Sequence, residues 1–117
     1  MGNKTTGLSL AFLVALSPQL ATAEFKSGQD IQAGLQKVFK DPTPADELFE
    51  ASFAFGYVVG VADANTNVTI CMPTGVTQGQ VAQIVFKYLN ANPEKLNFSA
   101  DSLVVKSLSA VWSCKKT

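Results

Sequence analysis

The sequence of 117 residues contains no histidine, and all nine of its basic residues are lysines. Arginine, whose guanidinium forms bidentate hydrogen bonds with phosphate and guanine, is therefore absent. The only adjacent basic pair is Lys115-Lys116, and nine acidic residues bring the formal net charge to zero. Without a basic patch, we expect neither nucleic acid nor an anionic membrane surface as a partner.

The lack of histidine also restricts catalysis, because general acid–base catalysis would have to use carboxylates, lysine or tyrosine. Asp46, Glu47 and Glu50 lie close together in the sequence. We interpret them as charges near a helix start, where they interact favourably with the helix dipole. Lys106 and Ser107 are adjacent and lack the i, i+3 or i+4 spacing that places two side chains on one helix face. We predict no enzymatic activity, no metal site and no cofactor.

A hydrophobic run long enough to cross a bilayer is missing as well. The apolar stretch Leu8–Leu16 has about half of the roughly 20 residues that a span requires. It follows Lys4 and precedes a small-x-small triplet, Ala-Thr-Ala, at 21–23. This pattern predicts a secretory signal peptide over residues 1–23 and not a membrane anchor. Residues 24–117 would then form one small exported domain.

Cysteine is scarce, with only Cys71 and Cys114 in the chain. An exported protein meets oxidising conditions, so an even number of cysteines indicates a disulfide, and two cysteines allow one pairing. The alternative of two buried free thiols fits an exported chain less well. A loop of this length would stabilise the fold by about 4 kcal/mol when closed.

Capping signals and helical spacing predict four helices. The first begins at Ser27, which forms a Ser-x-x-Asp capping box with Asp30, and ends near Lys40. The second has Thr43 as its N-cap and Pro44 at its first position, and it runs to about Ala64.

The third predicted helix begins at Thr77, in a capping box with Gln80, and stops at Asn92. The fourth begins near Phe98 or Ser99 and continues to about Trp112. No convincing alternating strand pattern occurs. The sequence therefore predicts an all-α fold, a small disulfide-stapled helical bundle of about four helices.

The second predicted helix is apolar on nearly every side from Ala51 to Ala62, which is typical of a central buried helix. Gly56 and Gly60 share one face, where they would allow another backbone to approach closely within the core. The segment Asp63–Thr69 that follows is polar and rich in turn-forming residues, which predicts an exposed linker.

These features together resemble one family, the Rap/Tai-type immunity proteins, which neutralise amidase effectors of type VI secretion. The resemblance begins with the helix motif Gly-Tyr-x-x-Gly-x-x-Asp-Ala at 56–64 and covers about residues 30–114. Further matching positions follow in the same order and spacing: Cys71-Met72-Pro73, Val76-Thr77, Gln80, Tyr88-Leu89, Asn92-Pro93-Glu94-Lys95-Leu96, Ala100, Leu103-Val104, Leu108 and Trp112-Ser113-Cys114.

The resemblance implies a periplasmic, homodimeric binding protein that blocks the active-site groove of a peptidoglycan amidase by protein–protein contact. We predict that the polar linker is the inserted element. Its candidate partner-binding residues are Asp63, Asn65, Asn67 and Thr69.

One departure from the family pattern concerns disulfides. Many relatives have a second cysteine pair joining the first two helices, and one of its members precedes the Gly-Tyr pair by two residues. Ala54 occupies that position here, and the first predicted helix has no cysteine. We expect burial of four phenylalanines to compensate for the missing bridge. They are Phe39, Phe49, Phe53 and Phe55.

Two other classes of function are compatible with the sequence. A small periplasmic stress protein or acid chaperone would use its apolar helix to hold unfolded clients. In that case carboxylates would be the acid sensors, since no histidine is present. An accessory subunit of an envelope complex is the second alternative.

Overall fold

The computed structural model describes residues 25–115, which form four helices: α1 (Gly28–Val38), α2 (Leu48–Asn65), α3 (Gln78–Ala91) and α4 (Ala100–Val111). Short 3-10 turns, Ala45–Glu47 and Pro93–Lys95, precede α2 and α4. Between residues 25 and 115, β-type pairing is limited to isolated bridges. The predicted all-α bundle of four helices is confirmed. The predicted signal peptide lies outside the described residues.

Two of the helices begin at the predicted capping boxes. At α1, the Ser27 Oγ accepts a hydrogen bond from the Asp30 N–H, and the Asp30 carboxylate accepts one from the Ser27 N–H at 3.0 Å. At α3, Thr77 Oγ1 accepts from the Gln80 N–H at 3.1 Å, and Gln80 Oε1 accepts from the Thr77 N–H at 2.8 Å. Each box satisfies backbone donors that a helix start otherwise leaves unpaired.

We expect Thr77→Ala to lower the free energy of unfolding by about 1 kcal/mol, because the variant loses the side-chain acceptor at the start of α3. Urea denaturation followed by circular dichroism would measure the loss. Thr77→Ser keeps the hydroxyl and serves as the control. An alanine variant as stable as the serine variant would contradict a stabilising role for the cap.

The predicted start of α2 is wrong. Thr43 does not cap this helix, because its hydroxyl donates to the carbonyl oxygens of Lys37 and Lys40 at 3.2 and 3.1 Å. The Lys37 carbonyl belongs to the last turn of α1, where carbonyl groups have no partner within the helix, and Lys40 lies two residues beyond its end. The chain then passes through the 3-10 turn, and α2 begins only at Leu48.

The core lies where all four helices meet. α1 packs against α2, and α4 packs against both α2 and α3. The side chains in this core are almost entirely aliphatic and fully or nearly fully buried: Ile31, Leu35, Ala54, Val58, Ala62, Ile70, Val81, Ala82, Val85, Leu89, Ala100, Leu103, Val104 and Leu108. Among the described residues, no helix has the length and apolar character needed to cross a membrane.

The expectation that α2 is buried all round is wrong. Only one of its faces is buried, formed by Ala51, Ala54, Val58 and Ala62. The opposite face is exposed. Here a Cβ added at Gly56 or Gly60 would meet no atom within 4 Å, so these glycines do not serve close packing inside this chain.

The phenylalanines do not compensate by burial as expected. Phe49 is 83% exposed, Phe53 is 45% exposed, and Phe39 lies at the surface against Phe86. Of the four, Phe55 alone packs against the core from a half-buried position. The physical reason for two of them is that Phe49 and Phe53 lie on the exposed side of α2, where the Lys26 ammonium approaches the Phe53 ring, at 5.0 Å from its centroid.

The predicted disulfide joins Cys71 to Cys114, across a sequence separation of 43 and a Cα–Cα distance of 5.0 Å. Next to it, the Cys71 N–H donates to the Trp112 carbonyl oxygen at 2.8 Å. Ile70 and Ser113 form an antiparallel bridge at the same place. The bond and the bridge fix the chain leaving α2 to the end of α4.

Candidate functional site

The predicted binding segment, residues 63–69, is divided between a helix and a turn. α2 continues through Asn65, so Asp63 and Asn65 belong to its last helical turn. The following residues 66–69, which we call the tip turn, project beyond the end of the helix and are all exposed. The exposed turn is therefore shorter than the predicted linker, and it is attached directly to α2.

Backbone hydrogen bonds close the tip turn onto the end of α2. The Asn65 carbonyl oxygen accepts from the N–H groups of Val68, Thr69 and Ile70, each at 3.1 Å. The Asn67 N–H donates in turn to the Ile70 carbonyl oxygen at 2.8 Å. This many hydrogen bonds across so short a segment hold the turn in one shape.

Side chains add to this fixation. Asn65 Nδ2 donates to the Val61 carbonyl oxygen at 2.8 Å, and Thr66 Oγ1 donates to the Ala62 carbonyl oxygen at 2.9 Å. Thr69 Oγ1 donates to Asn65 Oδ1 at 3.3 Å. The half-buried Asn65 amide is thus engaged within the chain at both ends. Its structural role is to support the turn, so an alanine there would alter the shape of the turn itself.

The exposed surface of the tip turn is formed by four consecutive residues, Thr66, Asn67, Val68 and Thr69. Asn67 has a φ of 63°, in the left-handed region where asparagine is better tolerated than most other side chains. Val68 is 69% exposed, although it is apolar. The fully buried Ile70 follows two residues later and anchors the turn in the core.

Val68 was missed by reasoning from sequence, which selected only the polar residues of this segment. The sequence does contain a signal for its exposure. Val68 and Ile70 are apolar residues on either side of Thr69, in a stretch of turn-forming residues where only one of them can be expected to reach the core. With Ile70 fixed in the core, a tight turn presents Val68 to solvent.

A hollow of about 450 Å³ lies beside the tip turn, on the side of α4. Asn65 is shared between the two features, since it lines the hollow and also accepts the hydrogen bonds of the turn. The other lining residues combine apolar, hydroxyl and charged side chains: Lys95, Phe98, Asp101, Ser102, Leu103, Val105, Lys106 and Ser109. The turn and the hollow together form a protrusion next to a recess, a shape suited to contact with another protein.

Groups with shifted pKa values lie away from the tip turn, and each has a structural explanation. The backbone N–H at the start of α1 lowers the pKa of Asp30 by hydrogen bonding to its carboxylate. The hydrogen bond to Glu50 raises the pKa of Lys37, and partial burial, followed by the nearby Asp101 carboxylate, raises that of Tyr57. Residues 25–115 also contain no cluster of three or more metal-ligating side chains.

The whole of this architecture falls within a known family. The sequence model that describes Rap1a immunity proteins matches residues 27–114, which is well over half of the 117 residues. The chain belongs to this family. No curated protein matches the sequence.

The Rap1a match extends from the cap of α1 to the second cysteine, so it includes all four helices and the tip turn. Membership in the Rap1a immunity family implies a non-enzymatic role in which the protein binds a partner effector protein. Proteins of this kind are typically secreted or periplasmic. The resemblance inferred from the Gly-Tyr helix and the cysteine-flanking residues is therefore confirmed.

Proposed function

We propose that this chain is a periplasmic immunity protein that neutralises a peptidoglycan amidase effector of type VI secretion by blocking its active-site groove. The observation that carries the proposal is the fixed tip turn with Val68 exposed at its surface. The chain acts as a homodimer, and it reaches the periplasm after removal of residues 1–23. Inhibition is steric and requires no cofactor.

The rigidity of the tip turn supports this mechanism. A loop that orders only on binding loses conformational entropy, which weakens the complex. Here the hydrogen bonds to Asn65 hold one side of the turn, while Ile70 and the disulfide hold the other. The turn therefore needs little reorganisation to enter a groove.

The composition of the turn supports it as well. Protein interfaces concentrate their binding energy in a few desolvated residues surrounded by polar contacts. Val68 provides the apolar contact, while the exposed Asn67, Thr69 and Asp63 provide polar groups around it. In this proposal Asn65 acts indirectly, by holding the turn and bordering the neighbouring hollow.

Val68→Asp tests the proposal. We expect the variant to inhibit the amidase at least about tenfold less well, because a carboxylate would lose its hydration in an apolar contact. The assay uses a purified peptidoglycan amidase effector of type VI secretion and follows its digestion of isolated peptidoglycan.

The matched control is Val111→Asp, which makes the same substitution at an exposed valine at the end of α4. Full inhibition by the control and weakened inhibition by Val68→Asp would support the proposal. Equal inhibition by Val68→Asp and the unsubstituted protein would remove the tip turn from the interface. An unsubstituted protein that neither binds nor inhibits the amidase would overturn the proposed function itself.

A further inference from the structure

The hollow beside the tip turn lies along the exposed face of α4. Three of the helix positions that line it, Asp101, Val105 and Ser109, follow one another at intervals of four residues. At a rise of about 1.5 Å per residue they extend over about 12 Å, which matches about three to four residues of extended chain. The hollow is therefore long enough to hold a short segment of another protein.

The lining includes apolar surface that the fold leaves uncovered. Phe98, just before the start of α4, is 51% exposed, and Val105 is half-buried. Exposed aromatic rings beside polar groups are typical of the residues that anchor contacts between proteins. This part of the hollow favours an apolar side chain in the segment that occupies it.

Positive charge predominates in the lining. Lys95 and Lys106 line the hollow together with one carboxylate, that of Asp101. The ion pairs of residues 25–115 lie elsewhere, so neither lining lysine is paired within this part of the chain. Lys106 is exposed, and Lys95 Nζ lies 5.9 Å from the centroid of the Tyr88 ring. Both ammonium groups can therefore take an anionic partner.

The nearby carboxylates do not neutralise this surface. Asp101 Oδ1 accepts a hydrogen bond from the Ser102 N–H at 2.8 Å, in the first turn of α4, where the helix dipole favours negative charge. With 3.6 residues per turn, Asp101 lies about 140° around the helix from Lys106. Asp63 similarly lies about 160° around α2 from the lining residue Asn65. The side of the hollow that carries Lys106 is therefore open to negative charge.

We infer that the hollow receives a segment of the amidase effector in which an acidic side chain accompanies an apolar one. The carboxylate pairs with Lys106 and Lys95, and the apolar side chain packs on Phe98. The inference rests on the proposed function and extends its interface from the tip turn to α4. Asn65 joins the two surfaces, since it supports the turn and lines the hollow, so a partner that encloses the turn also meets the hollow.

The two surfaces have different roles in this interface. The tip turn blocks the groove of the amidase, and the hollow distinguishes one amidase from another by charge. Complementary charge at an interface determines the choice of partner and the rate of association more than it determines affinity. An amidase with a basic segment at this position would be rejected, because its charge would meet the two lysines.

Charge reversal at Lys106 tests the inference. We expect Lys106→Glu to raise the dissociation constant about tenfold, because a repulsion replaces an attraction. Surface plasmon resonance with the purified amidase of the Val68→Asp assay measures it. The difference from the unsubstituted protein should shrink at high salt, which screens exposed charges.

A second variant reports the sign of the charge that enters the hollow. Asp101→Asn keeps the oxygen that accepts from the Ser102 N–H and removes the carboxylate from the lining. An acidic segment should bind this variant as well as the unsubstituted protein, or up to about fivefold more tightly. A basic segment would bind it more weakly.

Lys87→Glu is the matched control, since it makes the same change in net charge at an exposed lysine of α3 outside the hollow. It should bind the amidase normally. The positions of all three substitutions are exposed, so the fold should tolerate each of them.

Weakened binding by Lys106→Glu, together with normal binding by Lys87→Glu, would support the inference. Normal binding by Lys106→Glu would overturn it, and so would equal weakening by Lys87→Glu or weaker binding by Asp101→Asn. In any of these three cases, weakened inhibition by Val68→Asp would leave the proposed function standing. An unsubstituted protein that does not bind the amidase would overturn both.

Discussion

Reduction of the Cys71–Cys114 disulfide is expected to lower the free energy of unfolding by about 4 kcal/mol. The bond closes a loop across a sequence separation of 43, and in the chain-entropy model a loop of this size restricts the unfolded chain by about that amount. For a domain of this length, each kcal/mol shifts the melting temperature by about 4–8 °C. Reduction should therefore lower the melting temperature by about 15–30 °C.

Thermal unfolding followed by circular dichroism, with and without a phosphine reductant, would measure this change. The control is the Cys71→Ala/Cys114→Ala variant, which should melt at the reduced temperature whether or not reductant is present. A reduced protein that melts at the same temperature as the oxidised one would show that the bond does not support the fold.

Reduction should also affect the tip turn. Cys71 follows the buried Ile70 directly, and its N–H donates to Trp112 beside the bond. Without the covalent connection to α4, two contacts alone would hold this side of the turn: the Ile70 packing and the backbone bridge to Ser113. Stability of the fold and rigidity of the proposed binding element therefore depend on the same bond.

Most of the fold could be predicted from the sequence because its signals are local. The two capping boxes place the starts of α1 and α3 correctly, since each depends on residues only three positions apart. The cap at Thr43 was predicted by the same reasoning and failed. Its hydroxyl donates instead to the carbonyl oxygens of Lys37 and Lys40, at and just beyond the end of α1. That contact depends on how the chain turns between the two helices.

The burial of α2 could not be predicted for a related reason. A helix that is apolar on all sides indicates burial, but it does not say which partner covers each side. Within the chain, α2 receives neighbours on the side of Val58, and the opposite side, with Phe49, Gly56 and Gly60, remains exposed.

In the candidate site, too, the features that depend on nearby residues could be predicted, and those that depend on tertiary packing could not. The polar composition of residues 63–69 predicted an exposed turn, and the structure has one at 66–69, while residues 63–65 belong to α2. The support role of Asn65 and the exposure of Val68 depend on where the helix ends and where Ile70 enters the core. Those positions are fixed by packing, which is why the polar residues were selected and the valine was missed.

The contact between α1 and α2 leads to the last prediction. Gly34 faces Ala54, and the two helices approach closely here. A Cβ added at Gly34 would overlap the Cβ of Ala54 and lie only 3.0 Å from the Glu50 carbonyl oxygen. The contact between α1 and α2 therefore depends on two small residues that face each other directly.

We expect Gly34→Ala to lower the free energy of unfolding by about 2–3 kcal/mol, because the added methyl group must push α1 away from α2. The better helix propensity of alanine, worth about 1 kcal/mol, would offset only part of this cost. Urea denaturation with linear extrapolation gives the difference directly.

Gly56→Ala is the matched control, since it makes the same substitution inside a helix but at a position with open space around it. This variant should gain up to about 1 kcal/mol from helix propensity alone. The opposite signs of the two changes follow from packing, because the effect of alanine on the unfolded chain is similar at both positions. If Gly34→Ala were as stable as Gly56→Ala, the close contact between α1 and α2 would not exist in solution.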